Sequence, residues 1–147
     1  MLLEKEWKSA TRSGTMLTIA LLDVDHFKKI NDEFGHPAGD EVLRGISRTI
    51  MQHLRPGDIV ARWGGEEFLT VLAGGQEAGA HEVLERVRLF IQRADFGVGN
   101  VTASVGACEC LPRPRDGPAS VIQCADKALY RAKAEGRDQV LFATATD

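Results

Sequence analysis

Apolar and polar residues alternate along the chain in two rhythms, one of strands and one of helices. Residues 16–25, MLTIALLDVD, form a nearly unbroken run of apolar and β-forming side chains that ends in carboxylates, the pattern of a strand buried on both faces. Phe27, Ile30 and Phe34 then recur at helical spacing until Gly35-His36-Pro37 interrupts them. Val42, Leu43, Ile46 and Ile50 put one apolar face on a second helix from about Ala38 to His53. Arg55-Pro56-Gly57-Asp58 is a turn, and DIVARW and EFLTVLA are two short strands joined across Gly64-Gly65. Val83, Leu84, Val87, Phe90 and Ile91 are spaced for a single buried helical stripe. A strand, NVTASVGACEC, precedes a helix with Val121, Ile122, Ala125, Ala128, Leu129 and Ala132 inward, and QVLFA is a last strand. At the other end LLEKEWKSATR is helical up to Ser13-Gly14 and looks like the tail of a longer helix. The chain is therefore expected to be an N-terminally truncated piece whose upstream regulatory region lies elsewhere.

Interleaved strands and amphipathic helices, with at least one hairpin, predict an α/β (α+β) domain over residues 1–147. About five strands form a central, mostly antiparallel sheet with helices on both sides. Composition sharpens this only by exclusion. With 44% apolar and 27% charged residues the chain is an ordinary globular domain. A net charge of -3 offers no electrostatic footprint for nucleic acid. No apolar run reaches membrane-spanning length, and acids come too early for a secretion signal, so a cytoplasmic domain is expected, whose parent protein could still be anchored through a missing segment. The three cysteines are an odd number and are expected to be free thiols. Cys108 and Cys110 share a strand face, but zinc would need more ligands than lie nearby.

Candidate chemistry gathers at strand ends. Asp23 and Asp25 lie two apart, so strand geometry points both carboxylates to one side. Alone they would be a solvated strand terminus. Beside Glu66 and Glu67 at the hairpin tip they make an oxygen-rich site for a hard cation, magnesium or alternatively manganese, with room for phosphate oxygens. Gly64 and Gly65 would let the turn take positive φ and a nucleotide approach its backbone, although a plain two-residue hairpin needs no ligand. Lys133 and Arg137 are four apart on the last helix, a spacing that grips a polyphosphate tail or merely ends an exposed helix.

The stretch RWGGEEF resembles the signature of the GGDEF domains, in the variant with Glu at the third position. DVDHFKKIND at 23–32, GHPAGDEVL at 35–43, SVG at 104–106 and ADKALYRAKAEGRD at 125–138 are similar to that family's other blocks, in the same order. The resemblance implies a diguanylate cyclase, which condenses two GTP into cyclic di-GMP and releases diphosphate. It implies metal ligation by Asp23, the carbonyl of Val24 and Glu66, with Glu67 a further acid there. Glu66 would also help deprotonate the ribose 3′-hydroxyl, and Lys28 would stabilise phosphate charge. Asn31 and Asp40 would read guanine, whose ring N–H and amino group match one carboxylate; His36 adjoins them. Lys133 and Arg137 would hold the terminal phosphates.

The same resemblance gives Arg55 and Asp58 a second meaning, as an R-x-x-D inhibitory site for cyclic di-GMP with Arg86 a third member. Two identical links between two nucleotides require two copies of the domain, facing each other antiparallel as a transient homodimer. Asp138 departs from the family's usual Asn, which puts only local turn geometry in question. Two rivals remain: a silent module that binds GTP or cyclic di-GMP, and a nucleotidyl cyclase with another product.

Overall fold

The strand read from MLTIALLDVD runs Leu17–Val24 (β1), and every residue of it is buried because it lies at the centre of the sheet. The computed structural model describes residues 2–74 and 77–144. Within them the chain runs α1 (Leu2–Ser13), β1, α2 (Phe27–Phe34), α3 (His36–His53), β2 (Ile59–Arg62), β3 (Glu67–Ala73), α4 (Glu77–Arg93), β4 (Ala103–Cys110), α5 (Ala119–Ala134) and β5 (Val140–Thr144). The five strands are ordered β2-β3-β1-β4-β5. β2 pairs antiparallel with β3, and β1 pairs antiparallel with both β3 and β4. Only β5 is parallel to its neighbour β4, and α5 makes the crossover that a parallel pair requires.

Alternation along β1 divides the core. Ala20, Leu22 and Val24 face α2, α3 and α4, where Ile46, Ile50, Leu84, Val87 and Ile91 meet them. Leu17, Ile19 and Leu21 face α1 and α5, packing with Trp7, Ala125, Ala128 and Leu129. The α/β sheet with helices on both faces is thus as the pattern predicts. Gly106 explains how closely α5 lies on the sheet: a Cβ there would collide with the main chain of Ala125 and Leu129.

Three expectations are corrected. Phe90 does not join the buried stripe of α4; it is 54% exposed and its ring lies 4.4 Å from that of His53, across the gap between α3 and α4. α3 begins at His36, two residues before the predicted start, with Pro37 in the first turn, where its missing N–H costs nothing. The cysteines are not all free: Cys108 on β4 is joined to Cys124 on α5, with Cα atoms 5.9 Å apart, and only Cys110 remains a thiol. Burial pushes that thiol up to about 11, Glu109 and Asp116 adding to it.

Candidate active site

β1 delivers Asp23 to the edge of a small cleft, and the chain then turns through a left-handed His26 (φ 54°) into α2. The cleft, about 190 Å³, is lined by Asp23, Val24, Asp25, His26, Phe27, Lys28, Glu66, Lys133 and Arg137. Residues predicted from three separate stretches therefore meet in one place. Asp23 is opposite Glu67 in the β1–β3 register, so their side chains share the face of the sheet that carries α5. The loop between β2 and β3 is closed by Trp63 N–H donating to Glu67 O at 2.9 Å, and Val24 N–H donates to Glu66 O at 3.3 Å, tying Glu66 to the end of β1.

The charges in the cleft are unevenly compensated. Lys133 Nζ donates to Asp23 Oδ2. Asp23 Oδ1 is buried with no hydrogen-bond partner. Burial and the Asp23 charge raise the Glu66 carboxyl above its ordinary value, against the pull of Lys133. Glu67 is raised for the same reasons, with Asp126 and Glu66 adding to them. A buried, unpartnered carboxylate oxygen facing a second carboxylate has the chemistry of a cation site, and the carbonyl of Val24 is at hand. Among the described residues, however, no three acidic, His or Cys side chains converge as a closed cage. Of the three or four carboxylates expected to converge, Asp25 lines the cleft but is spent on structure. Its oxygens accept from Thr102 Oγ1 (2.7 Å), Ser104 Oγ (2.6 Å) and the Asp138 N–H (3.0 Å).

The other predicted residues fall into three groups. Asn31 and Asp40 lie on α2 and α3, with Gly39 between these helices; a Cβ on Gly39 would collide with Asn31 Oδ1, which is buried and unpartnered. Because α3 starts at His36, Asp40 stands beyond its first turn, so the helix dipole no longer accounts for an acid there. Asp40 and His36 are exposed. Neither Gly64 nor Gly65 adopts positive φ, which corrects that expectation. Instead a Cβ on Gly64 would press on Glu67 Oε2 at 3.4 Å, and beside Gly65 there is open space. Arg137 is not on the last helix. α5 stops at Ala134, and Arg137 sits in the following turn with φ 63°, yet it reaches the same cleft as Lys133.

Asp58 is largely consumed by its own turn. Its Oδ2 accepts from Arg55 N–H at 2.9 Å and Nε at 3.5 Å, and its Oδ1 accepts from Ala73 N–H at 3.1 Å. Arg55 Nη2 also donates to Ala73 O at 3.4 Å. Arg86 is exposed on α4, beside Phe90 in a separate groove. Sequence reasoning missed His26, whose left-handed backbone caps α2, and the opening turn of that helix: Phe27 and Lys28 line the cleft where the first N–H groups lack helical acceptors. The signal was present in Asp25-His26-Phe27, where strand periodicity gives way to helical spacing.

A five-stranded sheet of order β2-β3-β1-β4-β5, with an acidic hairpin tip beside a basic helix end, defines an α/β domain whose cleft gathers both signs of charge. Residues 1–139 match the family "Diguanylate cyclase, GGDEF domain", and the chain belongs to that family. It is 40% identical over 142 residues to diguanylate cyclase DgcP of Pseudomonas aeruginosa, covering 94% of this chain and 21% of that protein. It is 38% identical over 140 residues to the response regulator PleD of Caulobacter vibrioides, covering 91% of this chain and 31% of that protein. The chain thus spans a fifth to a third of the length of these relatives. The crystal structure of the GGDEF domain of DgcB from Caulobacter crescentus in complex with c-di-GMP superposes with a TM-score of 0.88 at 33% identity, covering 99% of this chain and 87% of that one.

Proposed function

We propose that this domain condenses two GTP molecules into cyclic di-GMP. The observation that carries the reading is the cleft itself, which brings Asp23, Val24, Lys28, Glu66, Lys133 and Arg137 together around an unpartnered carboxylate oxygen. Asp23, the Val24 carbonyl and Glu66 would hold a divalent cation, magnesium or manganese, with Glu67 alongside; when bound it neutralises phosphate charge and lowers the pKa of the ribose 3′-hydroxyl.

The chain's own residues do the remainder. Glu66, with its raised proton affinity, accepts the proton of the 3′-hydroxyl as that oxygen attacks the α-phosphorus of the second GTP. The bond from that phosphorus to the bridging oxygen breaks, and diphosphate leaves. A second attack in the reverse sense closes the ring. Lys28 and the first N–H groups of α2 hold phosphate oxygens at the cleft floor. Lys133 exchanges Asp23 for a terminal phosphate when nucleotide enters, and Arg137 grips beside it. Asn31 and Asp40 accept and donate along the guanine edge.

Each GTP supplies one nucleophile and one electrophile, so two copies of the domain meet antiparallel, each presenting its nucleotide to the other. Arg55, Asp58 and Arg86 form a product-binding brake away from the cleft. No helix among the described residues is long and apolar enough to cross a membrane.

The test is product analysis by mass spectrometry after incubation with GTP and magnesium. Cyclic di-GMP and diphosphate from the wild type, both lost in Asp23→Asn and Glu66→Gln, support the reading. Nucleotide binding without turnover would favour a silent sensor, and a different cyclic product would favour an altered cyclase.

A further inference from the structure

The turn that presents Arg137 has a backbone most residues avoid. Gly136, Arg137 and Asp138 carry φ values of 120°, 63° and 47°, three consecutive residues on the left-handed side. Only the first is a glycine, and side chains with a Cβ hold such conformations only where their surroundings over-determine them. Here the clamps are visible. Arg137 N–H donates to Ala132 O at 2.9 Å, and Gln139 Nε2 bridges Ala132 O (3.0 Å) and Arg137 O (3.3 Å), both on the α5 side.

On the other side everything converges on Asp138. Its N–H donates to Asp25 Oδ2 at 3.0 Å. Its Oδ1 accepts from Arg88 Nη1 at 2.6 Å, its Oδ2 from Gln92 Nε2 at 2.7 Å, and its carbonyl from Arg88 Nη1 at 3.2 Å. Arg88 is itself fixed, because Nε donates to Glu85 Oε2 at 2.9 Å and Nη2 to Glu85 Oε1. The Arg88 side chain is 12% exposed and that of Asp138 29%, so the pair is partly shielded from water, unlike a fully exposed ion pair.

We propose that Arg88 and Asp138 are positioning residues for substrate binding: their ion pair, from α4 to the turn after α5, locks the left-handed backbone that aims Arg137 into the cleft. This rests on the reading of Arg137 as a phosphate-binding residue. Neither Arg88 nor Asp138 lines the cleft; each acts through Arg137 and, by way of Asp25, through the end of β1. The carboxylate is matched to its partners. Asparagine at 138 would tolerate the same φ, but it would give Arg88 a neutral acceptor in place of a charged one and oblige the Gln92 amide to turn. Asp138, a departure from the family pattern, is thereby explained by the arginine and glutamine on α4 that it answers.

The experiment measures, for the wild type, Arg88→Ala, Arg88→Lys, Asp138→Ala and Asp138→Asn, the Kd for a non-cyclisable GTP analogue with magnesium, the KM and kcat for GTP, and the unliganded Tm. The expected result is a Kd and a KM about tenfold higher in both alanine variants, with kcat at saturating GTP reduced by about threefold or less. Arg88→Lys and Asp138→Asn fall in between, and the nucleotide effect persists at temperatures far below each variant's Tm. Wild-type Kd and KM in the alanine variants, or losses that vanish when the assay is cooled well below Tm, would overturn the proposal and reduce the pair to a fold contact. If the alanine variants do not fold, Arg88→Lys and Asp138→Asn decide by the same criterion. A wild-type protein that neither binds the analogue nor turns over GTP overturns the functional reading and this inference with it; a competent wild type with indifferent variants overturns this inference alone.

Discussion

Lys133 on the last turn of α5 donates to one oxygen of Asp23 at the end of β1, while the other oxygen of Asp23 is buried without a partner. Half of that carboxylate is neutralised by the protein and half is left for something else. A buried anionic oxygen is costly to leave bare, so the arrangement is one that a cation relieves. The wild type is accordingly expected to gain Tm when magnesium is added, and Asp23→Asn to lose that gain. Thermal scans with and without magnesium check this.

Glu66 and Glu67 are both raised, burial being the first cause and the Asp23 charge the next. A carboxyl whose folded-state pKa lies above its unfolded value of 4.5 costs stability at neutral pH; that cost begins to fall as the pH drops to the raised value, where the native state takes up the proton first, and is gone below 4.5. Glu66→Gln should therefore raise the unliganded Tm at neutral pH by about 1–3 °C while abolishing turnover. The gain should shrink as the pH falls and vanish below 4.5. A Tm series against pH for both proteins measures it.

Gly106 is the point where α5 touches the sheet, and a methyl group there meets helix backbone rather than a flexible side chain. Gly106→Ala should cost about 1–3 kcal/mol and lower Tm by several degrees. It should also weaken nucleotide turnover, because α5 carries Lys133. Denaturant unfolding gives the stability change directly.

The Cys108–Cys124 link closes a loop with a sequence separation of 16 residues, for which chain entropy predicts about 3 kcal/mol of stabilisation. Alkylation of the denatured, unreduced protein should label Cys110 alone, and all three cysteines after reduction. The reduced form should unfold at lower temperature.

Arg55 spends one side-chain nitrogen on Asp58 and another on Ala73 O, whereas Asp58 has both oxygens engaged. Arg55→Ala is the cleaner probe of product inhibition, since Asp58→Ala would also unpin the turn. The concentration of cyclic di-GMP that halves the rate should rise at least tenfold in Arg55→Ala, the loss expected for one charge-assisted contact. Initial rates against added cyclic di-GMP report it.

Much of this was readable from residue order. The continuous run at 17–24 identified the central strand, the hairpin glycines located the β2–β3 turn, and the family blocks brought Asp23, Lys28, Glu66, Lys133 and Arg137 to one place. What was not readable depended on distant partners. Asp25 looks like a ligand in sequence, and only the proximity of Thr102, Ser104 and Asp138 shows it to be a hydrogen-bond anchor. Phe90 fits the helical stripe by spacing, but the stripe turns out of the core where His53 offers it a ring. Arg137 obeys the i,i+4 rule from Lys133, yet Gly136 ends the helical geometry between them. Cys124 was hidden because its partner lies on another element.

The most direct test of the central claim is calorimetric titration of 3′-deoxy-GTP, which can bind but cannot attack, into wild type and Asp23→Asn, with magnesium and with chelator. The account predicts binding by the wild type that needs magnesium, and loss of that binding in Asp23→Asn. Equal affinity with and without the cation, or no dependence on Asp23, would contradict it.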